Sequence, residues 1–263
     1  MPNFAPHMES VLILGTGRLA FHLGHALYRS GVVLAGVAGR DLARTRELAR
    51  EWDCTGFPLN GPLPEAGLRV LAVSDDAIVH LAALLQADGT PVVHLSGTNP
   101  MDLLRPHVHR GVLWPVQSFS PGVPMDFTEV PLVVDATDEP TLQLLGGIAG
   151  RLSRTVVRLP FEQRQQLHVS AVVASNFPVF LLREAERLLV KHGIDPQLVL
   201  PLWKASTHKA MDGADRSVTG PARRGDRGTV ERHLQLLADE PELRRAYAAL
   251  SDLILHTYHP PAP

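Results

Sequence analysis

The sequence predicts an α/β protein, a doubly wound parallel sheet at the N-terminus followed by an all-α C-terminal domain. Three observations predict it. Short β-rich runs alternate with helical patterns up to residue 159, the first run ends in a Gly-Thr-Gly turn, and after Pro160 only helical periodicity continues. A chain of 263 residues can bury a sizeable core, and the change of pattern divides it into two expected domains, 1–159 and 160–263.

Each element has its signal. "SVLILG" (10–15) and "VVLAGVAG" (32–39) are apolar and β-rich, as are "RVLAVS" (69–74) and "PVVHLSG" (91–97), and helical patterns separate them. Leu19, Leu23 and Leu27 fall on one stripe of the first helix, Leu42 and Leu48 on the second, and Asp41 and Asp75 stand where helix N-caps belong. From 98 to 130 the chain is rich in Pro and Gly and reads as loops with one short helix and room for one strand. "VPLVVDA" (130–136), the helical "TLQLLGGIAGRL" and "RTVVRL" (154–159) complete the sheet. Helices are expected at 161–192, 195–212, 227–238 and 240–256, with a kink around 174–178 because Pro178 interrupts the hydrogen-bond ladder.

The turn after the first strand carries chemistry. Gly15, Gly17 and Ala20 form G-x-G-x-x-A between a strand and a helix, the setting of the Rossmann dinucleotide fingerprint. Gly15 permits the tight turn, Gly17 lets backbone approach a pyrophosphate, and Ala20 lets the helix pack close to the sheet. Thr16, Arg18 and Leu19 complete the loop and place helix amides toward the phosphates. At the end of the second strand stand Gly39 and Arg40, about 20 residues beyond the fingerprint, where NAD-binding domains usually carry an acid. A guanidinium there suits a 2′-phosphate, so NADP(H) is expected, with a solvated surface arginine as the alternative. Ser74 and Asp75 at the third strand end, and His94 and Ser96 at the fourth, should line the same crevice.

Two stretches of the helical half add candidates. In "LHVSAVVASNFPVFLL" (167–182), His168 and Asn176 are polar residues set in an apolar helix, either catalytic or satisfied core groups. In "SVTGPARRGDRGTVERHL" (217–234), Arg223, Arg224 and Asp226 bring charges of both signs into a loop, and Asp226 or Thr229 can cap the next helix.

Composition narrows the classes. A formal charge of −2 gives no footprint for nucleic acid or an anionic membrane, and no apolar run has the length of a membrane span. The single cysteine, Cys54, excludes an internal disulfide framework. With no signal-peptide pattern at the start, the expectation is a cytoplasmic protein whose partners are a small-molecule substrate and a second copy of itself. No metal site is expected: His107 and His109 are close in sequence, but no H-E-x-x-H or Cys cluster accompanies them.

In order along the chain, "LILGTGRLAFHLG", "AVSDDAI", "VVHLSGT", "WPVQSF", "LHVSAVVASNF" and "TGPARRGDRGTVERHL" resemble the Rossmann-like proteins with a DUF2520 C-terminal domain, labelled NADP oxidoreductase, coenzyme F420-dependent. The resemblance implies a helical domain similar to the dimerising domains of pyrroline-5-carboxylate reductase and 6-phosphogluconate dehydrogenase relatives, hence a homodimer through that domain. That superfamily sets a catalytic Lys and Asn one turn apart. Asn176 matches the Asn, Val172 stands where the Lys would be, and His168 lies a further turn back. The family also tends to write His-Pro where this chain has Trp114-Pro115. The expected function is an NADP(H)-dependent oxidoreductase moving hydride to or from a small carbonyl, imine or hydroxy compound. His168 would be the proton donor, Asn176 its partner, His94 the next candidate acid, and Asp226 with Arg224 would close the site. The alternatives are an NADP(H)-binding dimer without turnover and hydride exchange with a deazaflavin, for which no residue gives a specific signal.

Overall fold

Val11–Leu14, four apolar residues without exposed surface, forms strand β1, as suits a strand covered on both faces, where a polar side chain is costly unless it is answered. Val11 and Ile13 join one apolar cluster and Leu12 and Leu14 another, so this one strand feeds the cores on both faces of the sheet. The structure, a computed structural model, describes residues 10–260. By its contacts the chain parts into two units between Val172 and Val173.

In the first unit, α1 (Arg18–Arg29) follows β1 and buries Ala20, Leu23 and Leu27 against the sheet. Then come β2 (Leu34–Gly39), α2 (Leu42–Glu51), β3 (Gly56–Pro58), β4 (Leu68–Leu71), α3 (Ile78–Leu84) and β5 (Val92–His94). Strands β6 (Arg110–Pro115), β7 (Leu132–Ala136) and β8 (Val156–Arg158) complete a sheet ordered β3-β2-β1-β4-β5-β6-β7-β8. Helix α4 (Glu139–Leu152) joins β7 to β8, and α5 (Phe161–Ala171) follows. All neighbouring strands run parallel except β6 and β7, so the expected parallel sheet carries an antiparallel extension, β7 with β8.

Caps explain where the helices begin. Asp41 accepts from the Arg44 amide at 3.1 Å and Asp138 from the Thr141 amide at 2.9 Å, each filling one amide that the first turn leaves open. Asp75 differs from expectation: it opens a short 3₁₀ turn without capping it and accepts instead from the Thr98 hydroxyl at 3.2 Å. Leu42 also differs, being exposed rather than on the buried stripe. Arg69, an arginine inside β4, is buried because Asp88 at 2.6 Å and the Gln86 carbonyl at 2.8 Å answer its charge.

The second unit is helical. It holds α6 (Phe177–Lys191), α7 (Leu200–Met211), the single turn α8 (Ala214–Ser217), α9 (Arg227–Leu236) and α10 (Pro241–Tyr258). Ala222, Val230 and Leu255 form its small core, with Leu234, Tyr247 and Ile254 against them. Glu240, at the start of α10, accepts from Arg187 and Lys191 of α6, both at 2.6 Å. The expected kink is a π turn over Val172–Asn176, with Pro178 as the second residue of α6.

Candidate active site

The glycine turn is fixed at its first glycine by a contact that no other residue tolerates. Gly15 has φ +129°, and a Cβ on it would lie 2.1 Å from the Ala72 carbonyl oxygen, so β1 and the end of β4 meet at backbone distance. Gly17 caps α1 with no side-chain hydrogen bond, and the space its Cβ would occupy is open. No acid stands in the first turn of α1, and the first intrahelical bond there is from Phe21 to the Gly17 carbonyl. The preceding amides, beside exposed Arg18 and half-buried Leu19, are therefore left for an external acceptor.

The neighbouring strand ends complete a crevice. Gly39 is buried, and a Cβ there would press on Thr16 and Thr45 at about the distance of a clash, 2.6 and 2.5 Å. Arg40 is exposed and makes no hydrogen bond or ion pair among the described residues, while the carboxylate beside it, Asp41, is occupied in capping α2. Exposed Ser74 and Asp75 lie just beyond β4. In the sheet order the chain leaves β1 toward β2 and returns to β4 on the other side, which is the switch point where open α/β sheets bind ligands. Open space at Gly17, uncapped amides and a free guanidinium together fit a phosphorylated dinucleotide.

At the end of β5 a second group assembles. His94 has no exposed surface, and its Nδ1 accepts from the Ser96 amide at 3.2 Å, while Nε2 is shielded without a partner. Burial first, and then the positive charge of Arg164, push its pKa down to about 4, so the imidazole is neutral. Ser96 turns its Oγ to the amides of Thr98 and Asn99, both at 3.2 Å, and thereby shapes the loop. Gly97 has no room for a side chain: a Cβ would lie 2.6 Å from Trp114 and 2.9 Å from the Cδ2 of His168. His168 is half-buried on α5, its ring 5.7 Å from that of Trp114, and its ring nitrogens bond to nothing among the described residues.

The structure thus brings His94, Ser96 and His168 to one strand end. Asn176 and Asp226 belong to the second unit. There Asn176 closes the π turn with an exposed side chain, and Asp226 caps α9, accepting from the Thr229 amide at 2.9 Å and hydroxyl at 2.7 Å. Those bonds hold the Asp226 carboxyl below the usual range. Two residues escape a reading by motif, Asn99 and Arg164, while Trp114 is marked only as a departure from the family's His-Pro. The signal for Arg164 was its place one turn before His168 on one helix face. Among the described residues no cluster of three His, Cys, Asp or Glu side chains is placed to hold a metal ion; His107 bonds the Ala82 carbonyl at 2.9 Å and His109 bonds Asp138 at 3.0 Å.

Residues 3–117 match a Rossmann-like domain and residues 130–254 the domain of unknown function DUF2520. A Bacteroides fragilis protein, named as a candidate NADP oxidoreductase, is 32% identical with a TM-score of 0.86, over 96% of this chain and 100% of its own. The chain belongs to the Rossmann-like DUF2520 family. This DUF2520 protein also resembles a Thermotoga maritima protein (24% identity, TM-score 0.73, 93% of this chain and 96% of that one). A pyrroline-5-carboxylate reductase from Streptococcus pyogenes shares the fold at 12% identity (TM-score 0.62, 94% of this chain and 98% of that one). No curated protein matches the DUF2520 protein in sequence.

Proposed function

We propose that this protein is an NADP(H)-dependent oxidoreductase acting on a small carbonyl, imine or hydroxy compound. The observation that carries the reading is Arg40, a free guanidinium at the end of β2 beside an open glycine turn, next to an acid already committed to a helix cap. The Bacteroides fragilis relative's name points the same way. Gly15, Thr16, Gly17 and the amides through Ala20 would hold the diphosphate, Arg18 would face it, and Arg40 would take the 2′-phosphate. NADP(H), when bound, supplies the hydride. His168 gives or takes the proton at a ring nitrogen that nothing else occupies, and Trp114 shields that ring from water. Neutral His94 and Ser96 hold the loop beneath it.

The experiment measures NADPH oxidation over a panel of oxo acids, imines and aldehydes, with calorimetry of both nucleotides for Arg40→Ala. Loss of a charge-assisted contact to phosphate should weaken NADPH binding at least about tenfold and leave NADH within about twofold. Equal losses would remove the case for phosphate selection. A reading without turnover is favoured by Val172, which offers no proton where the superfamily sets a lysine. Tight NADPH binding with no oxidation across the panel would support it. We further propose that the second unit pairs two copies of the chain.

A further inference from the structure

Among the described residues of the first unit two arginines are buried, and they differ in what surrounds them. Arg69 has Asp88 at 2.6 Å. Arg164 has no exposed surface and no carboxylate within ion-pair distance among the described residues, and its Nε and Nη1 are shielded without a partner. The Phe161 ring lies beside the guanidinium at 5.3 Å, and the one hydrogen bond of the side chain runs from Nη2 to the Asn99 carbonyl at 2.7 Å. Asp135 and Glu162 reach the Arg164 charge only from beyond ion-pair distance and burial outweighs them, so the dehydrated charge costs stability that an unbranched apolar side chain would restore. Stability therefore does not explain an arginine at 164.

Placement does. Among the described residues this is the only side-chain hydrogen bond from α5 to the rest of the unit. Arg164 is one turn before His168, so both project from one face of the helix. At the far end of the bond, Asn99 is held by Ser96 Oγ, and between them Gly97 lies under the His168 ring. The contacts close a circuit from His168 through Gly97, Ser96, Asn99 and Arg164 back along α5 to His168.

We infer that Arg164 is a positioning residue, whose bond to Asn99 locks α5 to the loop after β5 and so fixes where the His168 imidazole stands over Gly97. Its kinetic consequence rests on the proposed proton transfer by His168; its structural consequence does not. The same guanidinium also favours neutral His94, in addition to the larger effect of burial.

The test uses the full chain as Arg164→Met and Arg164→Lys, read by amide hydrogen exchange, nucleotide affinity and steady-state kinetics. In the Met variant, exchange at Ser96–Asn99 should rise at least about tenfold while the Gly15–Ala20 turn is unchanged. For whichever substrate of the panel turns over, kcat should fall at least about tenfold while NADPH affinity stays within about twofold, because a displaced donor lowers the chemical step without touching the nucleotide. Lysine keeps the charge and one donor and should restore part of both. Unchanged loop exchange in the Met variant overturns the inference whether or not the wild type turns over. A wild type inactive across the panel with loosened loop exchange in the variant instead overturns the proposed chemistry alone. Should Arg164→Met fail to fold, the Lys variant decides: loosened loop exchange with kcat equal to wild type would separate the Asn99 contact from the placement of His168 and sink the proposal, whereas a kcat that falls with the loosening would carry it. Gly97→Ala, which drives a methyl toward the His168 ring from the other side, should reproduce the loss of kcat with nucleotide affinity retained.

Discussion

His94 accepts from the Ser96 amide through Nδ1, so its single proton stays on Nε2 and the loop selects both tautomer and charge state. That selection has a price in acid. An unfolded chain protonates His94 near its ordinary 6.5, whereas the folded protein resists to about 4. Between those values the unfolded state binds more protons, so stability is complete above about pH 6.5 and declines as pH falls through the window. A shift of this size corresponds to a loss on the order of 3 kcal/mol by pH 4. Urea denaturation at pH 7, 5.5 and 4.5 should show that decline, and His94→Gln, which cannot take the proton, should flatten it. His25, lowered by burial against the pull of Glu51, adds a decline of the same sign, so the slope shrinks without vanishing. Asp138 does not contaminate the window: hydrogen bonds from Thr141 and His109 outweigh its burial and hold it at about 2. An identical slope in wild type and His94→Gln would refute the assignment.

At the scale of elements, α1 does more than open the crevice. It buries His22, whose Nε2–H donates to the Ser120 carbonyl at 2.8 Å and whose Nδ1 accepts from the Met125 amide at 3.1 Å, with the Phe119 ring 5.2 Å away. One imidazole thus splints the Pro- and Gly-rich loop between β6 and β7 along the helix. His22→Ala leaves a carbonyl and an amide unpaired, and it should cost about 1–3 kcal/mol in urea denaturation. Limited proteolysis should then cut faster between residues 117 and 126. Equal cutting rates would mean the loop is held by Phe119 and Phe127, whose rings stack at 5.7 Å. Nothing in the sequence marks His22 for this task, because both partners are backbone groups far along the chain. The strands were legible for the opposite reason: Val11–Leu14 is buried on both faces and wholly apolar, and Leu132–Ala136 is buried and apolar but for Asp135. Strand β3 escaped because Gly-Phe-Pro is too short to show a period, and the direction of β7 escaped because a loop rich in Pro and Gly sets it. The glycine turn was legible since backbone sterics dictate Gly15. The circuit through Arg164 was not, since its Asn99 contact joins a side chain to a distant carbonyl.

For the molecule as a whole, the two units bury their apolar residues unequally. The sheet of the first has strands whose every residue is shielded, while in the second neither α6 nor α7 holds one buried residue. Phe177 and Phe180 of α6, with Val173 in the π turn before them, are each more than half exposed, at 53%, 54% and 55%. Leu198 and Leu202, one turn apart, are 68% exposed. Exposed apolar side chains at helical spacing suit an association surface; of the charged residues of α6, Arg187 and Lys191 are paired with Glu240 and Arg183 lies over the Phe180 ring at 5.7 Å. A second copy presenting the same stripes is the occupant whose shape and chemistry are guaranteed to be available, since a two-fold axis makes one patch complementary to itself. Sedimentation equilibrium should therefore give twice the 28.6 kDa chain mass. Phe177→Asp with Phe180→Asp should shift it to the monomer, because two carboxylates would have to be desolvated at the centre of the contact. Helical content by circular dichroism should survive in that variant, as neither side chain is buried within the chain. A wild type that sediments at the chain mass at all concentrations, or a double variant that stays dimeric, would place the association elsewhere or nowhere, and the exposed stripes of α6 and α7 would then need a different partner.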